Sequence, residues 1–263
     1  MTRTEQVAQL ELDDGRRVDA ELVVAADGGR SAIREFAGIK CDVAPTGQRA
    51  IATTAVIERD HEATAWQRFL DTGPLAFLPL PDDDAGRHRV SVVWSLDEAP
   101  ARDMAALDDA AFADALTRAF EGRLGQVLQV AARGSFPLVQ MHASRYVDAR
   151  LVLVGDAAHV IHPLAGQGVN LGLKDVAALS RVLSGIAHGP AAARLGELVL
   201  LSRYERERRG DNALALTAMA SLKRLFGAED PGIRLLRNTG LAWVDRLQPL
   251  KRAFAEHALG LAG

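Results

Sequence analysis

LVLVGDAAHVIHPLAGQGVNLGLKD, Leu151 to Asp175, begins as an unbroken apolar run and breaks at Gly155-Asp156. It then spends a dozen residues on His, Pro, Gly and Gln before taking up helical spacing. Leu151-Val-Leu-Val154 has the pattern of a central strand in a parallel sheet. Ligands of open α/β sheets bind at the carboxyl ends of such strands, and Asp156 stands where the strand end would deliver it. A carboxylate there can accept hydrogen bonds from a ligand hydroxyl. Pro163 fixes the chain ahead of a helix predicted from about Gly168 to Leu183. Gly166 and Gly168 remove side chains, so that backbone can approach a ligand closely. The helix would turn its unpaired N–H groups and positive dipole end toward the loop, which suits an anion or an electron-rich carbonyl edge. Each glycine cluster alone reads as a turn. Both within one strand–loop–helix, with Pro163 between them and Asn170 after, read as a binding loop. A metal site of Asp156, His159 and His162 is the other reading, but it needs a shared face that a loop running into Pro163 does not offer. A hydrolase reading fails because no Gly-x-Ser-x-Gly elbow is present.

Working outward, Val7 to Leu12 alternates, Asp13-Asp14-Gly15 turns, and Val18 to Ala26 runs back as a second strand of a predicted hairpin. Leu22-Val-Val-Ala-Ala26 is apolar on both faces, which predicts burial on both. Ser31 to Ala37 reads as a short helix stopped by Gly38. From Lys40 the texture changes: Gln48 to Glu58, Ala65 to Leu70, Leu75 to Pro79, Arg89 to Leu96 and Gly134 to Leu138 are β-like, with one helix from Leu107 to Leu116. That block reads as an antiparallel sheet with an added helix. Its acidic run, Pro81-Asp-Asp-Asp-Ala-Gly86, reads as a solvated turn ahead of a metal site. Beyond the opening stretch the chain is helical, from Leu195 to Phe226 with a break at Gly210, and from Pro231 to about Leu259 with Pro249 inside. The α/β signature thus occurs twice, before Lys40 and after Asp148, around an inserted sheet.

The bulk numbers bound the class. A chain of 263 residues, 48% hydrophobic and 25% charged, has an ordinary globular composition. A net charge of -3 leaves no basic footprint for nucleic acid. The single cysteine, Cys41, rules out an intramolecular disulfide and a cysteine-based zinc site. No apolar run reaches the ~18 residues of a membrane span, and the amino terminus has no signal-peptide core. The expected location is therefore the cytoplasm, with any membrane contact peripheral.

His162-Pro-Leu-Ala-Gly-Gln-Gly-Val-Asn-Leu-Gly-Leu-Lys-Asp175 resembles the signature of the ubiquinone-biosynthesis hydroxylases. These are class A FAD-dependent aromatic monooxygenases related to para-hydroxybenzoate hydroxylase. Gly155-Asp156 is similar to their GD motif, whose aspartate binds the ribityl chain. Asp27-Gly28-Gly-Arg-Ser31-Ala-Ile-Arg34 is similar to their DG motif, associated with FAD and NAD(P)H. The middle block, with Gly47-Gln48-Arg49-Ala50, Arg68-Phe69, Gly73 to Leu80 and Val93-Trp94-Ser95, and the later Arg203 to Arg209, also match, so the resemblance covers nearly the whole chain.

The resemblance implies an α/β (α+β) fold. A partial FAD-binding Rossmann-like domain (residues 1–40 and 149–190) would be interrupted by an antiparallel-sheet substrate domain (41–148) and followed by a helical region (191–263). It implies FAD as cofactor, NAD(P)H as reductant, O2 as oxidant, and a polyprenylated phenol or quinol as substrate. It assigns FAD contacts to Asp27, Gly28, Arg34, Gly155, Asp156, Pro163, Ala165, Gly166, Gln167, Gly168, Val169 and Asn170. Gln48, Arg49 and Pro163 become the candidates beside the reacting ring, and no side chain is required as a general base. The family's opening βαβ unit with Gly-x-Gly-x-x-Gly is not in these residues. The expectation is therefore a carboxyl-terminal portion that binds FAD weakly or not at all on its own and does not turn over. Alternatives are a non-catalytic scaffold or split-enzyme subunit, and a hydroxylase of another aromatic substrate. A hydroxylase complex or a homo-oligomer would be the setting. Leu236, Gly240, Trp243, Val244, Leu247 and Leu250 have helical spacing beside Arg234, Arg237, Arg246, Lys251 and Arg252. That helix could lie on the inner membrane or pack on its own domain.

Overall fold

The computed structural model describes residues 1–4, 7–160, 167–186 and 194–226. The basic tail helix anticipated after Pro231 lies outside them. The chain divides into two units, one of Met1–Ala44 with Gln140–Gly263 and one of Pro45–Val139.

The first unit opens with β1 (Thr2–Arg3), β2 (Ala8–Glu11) and β3 (Arg17–Ala20), an antiparallel sheet in that order, with Gly15 at φ +81° in the β2–β3 turn. The single strand expected over Val18–Ala26 is in fact two: the chain breaks at Glu21-Leu22 before β4 (Val23–Ala25). At the break the chain changes partner, from β2 to a strand near Leu151, and Arg150 Nη1 donates to the Glu21 carbonyl at 2.9 Å and to the Glu21 carboxylate at 3.0 Å. The expected burial of both faces also fails. Val23 and Ala25 are buried, but Val24 is 47% exposed, and β4 is an edge strand among the described residues. Helix α1 (Ala32–Phe36) follows, capped by the Ser31 hydroxyl, which accepts from the Arg34 N–H at 3.0 Å, and stopped by Gly38 at φ +65°.

Strand β5 (Cys41–Ile57) carries the chain into the second unit, which adds β6 (Trp66–Leu70), β7 (Gly73–Leu80) and β8 (Arg89–Asp97). Helices α2 (Glu98–Ala106) and α3 (Asp109–Ala119) come next, then β9 (Val127–Val130) and β10 (Gly134–Ala143), which returns to the first unit. The strands run in the order β10-β5-β8-β7-β6, with β9 also paired to β5. One face, with Ile51, Leu75, Phe77, Val92, Trp94 and Leu96, packs with Phe112, Leu116 and Phe120 into the unit's core. Alternation and register put Ala50, Ala52, Thr54, Ala76, Ser91, Val93 and Ser95 on the other face, with the larger Val56, Leu78 and Phe69 toward its margins. The sequence signals missed α2, whose only buried residue is Ala101 and whose first turn contains Pro100. The Pro81–Gly86 turn is held as anticipated by Asp83, whose carboxylate accepts from the backbone N–H groups of Ala85 and Arg87 and from Arg87 Nε.

Back in the first unit, β11 (Val147–Asp148) and β12 (Leu151–Leu153) precede a 3-10 turn over Gly155–Ala157 and β13 (His159–Val160), which pairs with the end of β10. The sheet order is β11-β12-β4, with β12 parallel to β4 through Leu151↔Val23, Val152↔Val24 and Leu153↔Ala25. Leu151, Val152 and Leu153 are wholly buried, as a central strand requires. Helix α4 (Gln167–Ser184) and α5 (Leu198–Phe226) complete the described chain. The break expected at Gly210 does not occur: α5 runs straight through it. One exposed glycine lowers helical propensity by about 1 kcal/mol, which a 29-residue helix packed on its sheet absorbs.

Candidate functional site

The site is built where β12 ends. Gly155 sits at φ +58°, a left-handed conformation that a side chain would strain, and so reverses the chain at the strand's carboxyl end. Asp156, next in the turn, is exposed, and among the described residues no group bonds its carboxylate. Helix α4 crosses close behind: a Cβ placed on Gly172 would lie 3.3 Å from the Gly155 Cα. The two glycines let helix and turn approach to within backbone contact. In the first turn of α4, a Cβ on Gly168 would meet nothing within 4 Å, so the space before the helix is open on that side. Val169 and Asn170, also in this turn, are exposed.

The DG segment is tied to this turn by a buried cation. Arg34, 7% exposed, donates through Nη1 to the Ala157 carbonyl at 2.9 Å and through Nη2 to the Gly29 carbonyl at 2.8 Å. A Cβ on Gly29 would come within 3.2 Å of Val160 Cγ2, so the segment also packs directly on β13. Gly28 has φ +82°. Asp27 accepts from the Ile33 N–H at 3.2 Å. Partial burial alone would raise its pKa, but bonds from the Ser31 hydroxyl and the Ile33 amide outweigh it and hold the carboxyl below its ordinary value.

Beneath the turn lies a polar network that the sequence did not announce. Asp175 on α4 is wholly buried. Its Oδ2 accepts from the Gly155 N–H at 2.9 Å and His159 Nε2 at 2.6 Å. Its Oδ1 accepts from Arg208 Nε at 2.8 Å and Asn212 Nδ2 at 3.3 Å. Burial would raise the Asp175 pKa, but the bonds and charge of His159 and Arg208 override it and hold it below the usual value. Arg208 also donates to Asn212 Oδ1 and Asp211 Oδ2, and Asn212 Nδ2 reaches the Tyr146 hydroxyl at 3.3 Å. That hydroxyl, having accepted from Asn212, has its own proton for His142 Nε2 at 2.8 Å. Tyr204, one turn before Arg208, donates to the Leu153 carbonyl at 2.8 Å.

Of the residues singled out from sequence, Asp27, Gly28, Arg34, Gly155, Asp156, Gly168, Val169 and Asn170 all belong to the first unit, and Gln167 opens α4. Pro163, Ala165, Gly166 and His162 lie outside the described residues. Gln48 and Arg49 belong to the second unit. Gln48 Nε2 donates to Asp97 Oδ1 at 3.1 Å, and Arg49 donates to the Ser135 hydroxyl and carbonyl, each at 3.1 Å. Of the alternative metal ligands, His159 turns inward to Asp175 rather than toward Asp156, and His162 lies outside the described residues, among which no metal-binding cluster occurs. What sequence reasoning missed is Asp175, Arg208 and Asn212. The available signal was the four-residue spacing of Tyr204, Arg208 and Asn212 on a helix, which puts polar groups on one inward stripe.

A parallel strand ending in a left-handed glycine, followed by a carboxylate without a partner among the described residues and backed by a helix with Gly168 in its first turn, is an α/β unit of the kind that holds nucleotide cofactors, here interrupted by an inserted sheet. The chain belongs to the FAD binding domain family, whose model matches residues 2–217. It is 44% identical over 253 residues to the ubiquinone hydroxylase UbiL of Rhodospirillum rubrum, covering 95% of this chain and 56% of that protein. It is 40% identical over 260 residues to the 3-demethoxyubiquinol 3-hydroxylase of Escherichia coli K12, covering 98% of this chain and 64% of that protein. The chain thus spans under two thirds of each. Among solved structures, p-nitrophenol 4-monooxygenase PnpA of Pseudomonas putida DLL-E4 shares the fold, with a TM-score of 0.69, 22% identity, and coverage of 99% of this chain and 64% of that one. Among the described residues no helix is long and apolar enough to cross a membrane.

Proposed function

We propose that this chain forms the flavin-facing and ring-facing part of an FAD-dependent hydroxylase that acts on a polyprenylated phenol or quinol in ubiquinone biosynthesis, with NAD(P)H as reductant and O2 as oxygen donor. The observation that carries the reading is the Asp156 carboxylate, presented at the end of β12 with no protein partner among the described residues. A carboxylate so placed accepts hydrogen bonds from ligand hydroxyls, as a ribityl chain would offer. The residues present fit the flavin and ribityl end of FAD: Gly155 and Gly172 let the backbone close up, and Gly168 leaves the start of α4 open. The names of the two relatives above point the substrate class toward ubiquinone precursors.

FAD, when bound, supplies the redox chemistry that places one atom of O2 on an aromatic ring while the other leaves as water, at the expense of NAD(P)H. The chain's own residues bind and orient. Asp156 accepts from ribityl hydroxyls. The first turn of α4 directs its N–H groups and dipole toward negative charge developing in front of it. Arg34 keeps the DG segment and the Gly155 turn in one fixed arrangement. In the second unit, the sheet face that carries Ala52, Ala76 and Val93 has small side chains there, which would suit contact with an aromatic ring.

The test is a titration of FAD with the purified chain, read as quenching of flavin fluorescence, with Asp156→Ala alongside. The expected result is weak quenching, reached only at high FAD concentration, that Asp156→Ala weakens about tenfold further, the loss of hydrogen bonds to a charged group. Measurable quenching that is equal in both proteins would defeat the assignment of this turn to flavin. NAD(P)H oxidation and O2 uptake stimulated by a short-chain polyprenyl phenol, with a product carrying one more oxygen by mass spectrometry, would test the reaction.

A further inference from the structure

We infer that Asp175 is the positioning residue of the cofactor turn: it sets the direction of the Gly155 peptide, and through it the direction in which Asp156 presents its carboxylate. The consequence for flavin rests on the proposed function; the positioning itself does not. A carboxylate offers about four lone-pair sites, and here four donors take them. The Gly155 N–H and His159 Nε2 meet Oδ2, while Arg208 Nε and Asn212 Nδ2 meet Oδ1. The donors come from three separate elements, the turn after β12, β13 and α5, so the group's orientation is fixed on every side. Nothing else in the described structure holds the Gly155 N–H. Its neighbours are held differently: the Leu153 N–H donates to the Tyr146 carbonyl and the Val154 N–H to the Ala25 carbonyl, both sheet contacts. The strand is fixed by the sheet and the turn by Asp175. Gly172, three residues before Asp175 on α4, is what allows the carboxylate so near: its Cβ would already crowd the Gly155 Cα.

The isosteric variant Asp175→Asn separates positioning from packing. In either orientation its NH2 group faces donors, at Gly155 and His159 or at Arg208 and Asn212, while shape and volume are kept. Val154-Gly155 is the chain's sole Val-Gly pair. Labelling valine with carbonyl 13C and glycine with 15N therefore gives one assigned amide signal for Gly155, with no cofactor added. The expected result for Asp175→Asn is an upfield move of the Gly155 amide proton and a hydrogen-exchange rate raised about 10- to 100-fold, with Leu153 and Val154 still protected. Tyr204→Phe, which removes the bond to the Leu153 carbonyl, should lower stability without moving the Gly155 signal. Arg208→Lys, which keeps the carboxylate and the charge but loses the Nε bond, should shift Gly155 in the same direction by less, and serves if Asp175→Asn does not fold. An unmoved Gly155 signal in both Asp175→Asn and Arg208→Lys overturns the inference. So does equal loss of protection at Leu153, Val154 and Gly155, which would make Asp175 a general fold contact. Adding FAD afterwards tests the other reading separately: a shifted Gly155 with unchanged flavin quenching refutes only the link to the cofactor.

Discussion

Replacing Arg34 by methionine removes the only described bond between the guanidinium's two carbonyl partners while nearly preserving the volume of the stem. Arg34 is 7% exposed and gives two charge-assisted bonds, to Ala157 and Gly29, of 2.9 and 2.8 Å. Bonds of that kind are worth about 1.5–3 kcal/mol each, which sets an upper limit of ~6 kcal/mol. The charge no longer has to be desolvated, and that returns part of the loss. What remains is two carbonyl oxygens deprived of a donor, at about 1–3 kcal/mol each. The expected destabilisation is about 2–4 kcal/mol. Arg34→Lys should lose most of the same amount, because one ammonium cannot span two carbonyls as a planar fork does. The two units carry different reporters. Tyr146 and Tyr204, the chain's two tyrosines, lie in the first; Trp66 and Trp94 lie in the second, and the third tryptophan, Trp243 in the first, is replaced by Phe in the background used for these tests. Urea unfolding followed by tyrosine near-ultraviolet dichroism reads the change, and tryptophan emission verifies that the sheet unit stays folded. A loss below about 1 kcal/mol in Arg34→Met, the cost of an ordinary surface contact, would refute the view that this cation fastens the DG segment to the turn.

Gly210→Ala on the exposed face of α5, where a Cβ meets nothing within 4 Å, should stabilise the first unit by about 0.5–1 kcal/mol; a lower melting temperature would contradict it. Gly73→Ala should cost the sheet unit about 3 kcal/mol, since Gly73 is at φ +129° and the new Cβ would lie 2.4 Å from the Ser95 carbonyl oxygen; tryptophan-monitored unfolding reads it. Burial, reinforced by Arg209 and His159 and opposed by Asp42, holds His142 below its ordinary pKa. The unfolded chain therefore takes up a proton that the folded chain refuses, and stability should fall as pH drops below about 6.5. His142→Gln should flatten that part of the urea-midpoint profile. Burial raises the pKa of both tyrosines, so the unfolded chain ionises first, and stability should also fall as pH rises past about 10.

The strand–turn–helix at Leu151–Ser184 was legible because its signals are local: an apolar run, a glycine that must be left-handed, and a helical period after it. The hairpin turn at Gly15 and the capped α1 were legible for the same reason. The division of Val18–Ala26 into β3 and β4 was not, because the second half pairs with β12, a strand more than a hundred residues away in sequence, while the first half pairs with β2. The continuity of α5 through Gly210 was not, because tertiary packing outweighs a single propensity term. Helix α2 gave no apolar stripe to read. At the site, Gly155, Asp156 and Arg34 could be picked out by motif. Asp175, Arg208 and Asn212 could not, since a polar residue on a helix reads as surface until the partner that permits its burial is seen.

Strands β5 and β10, by which the inserted residues Pro45–Val139 leave and rejoin the first unit, are neighbours in one ladder, and the Thr46 hydroxyl donates to the Leu138 carbonyl across them at 2.7 Å. The two ends of the excursion are thus already as close as the arms of a hairpin. Topologically, the insertion is a very long hairpin loop, and closing such a loop grows costly only slowly with its length. A lineage could lengthen, shorten or exchange it while the cofactor unit kept every strand it has. A two-residue turn joining Ala44 to Gln140 should leave that unit able to fold.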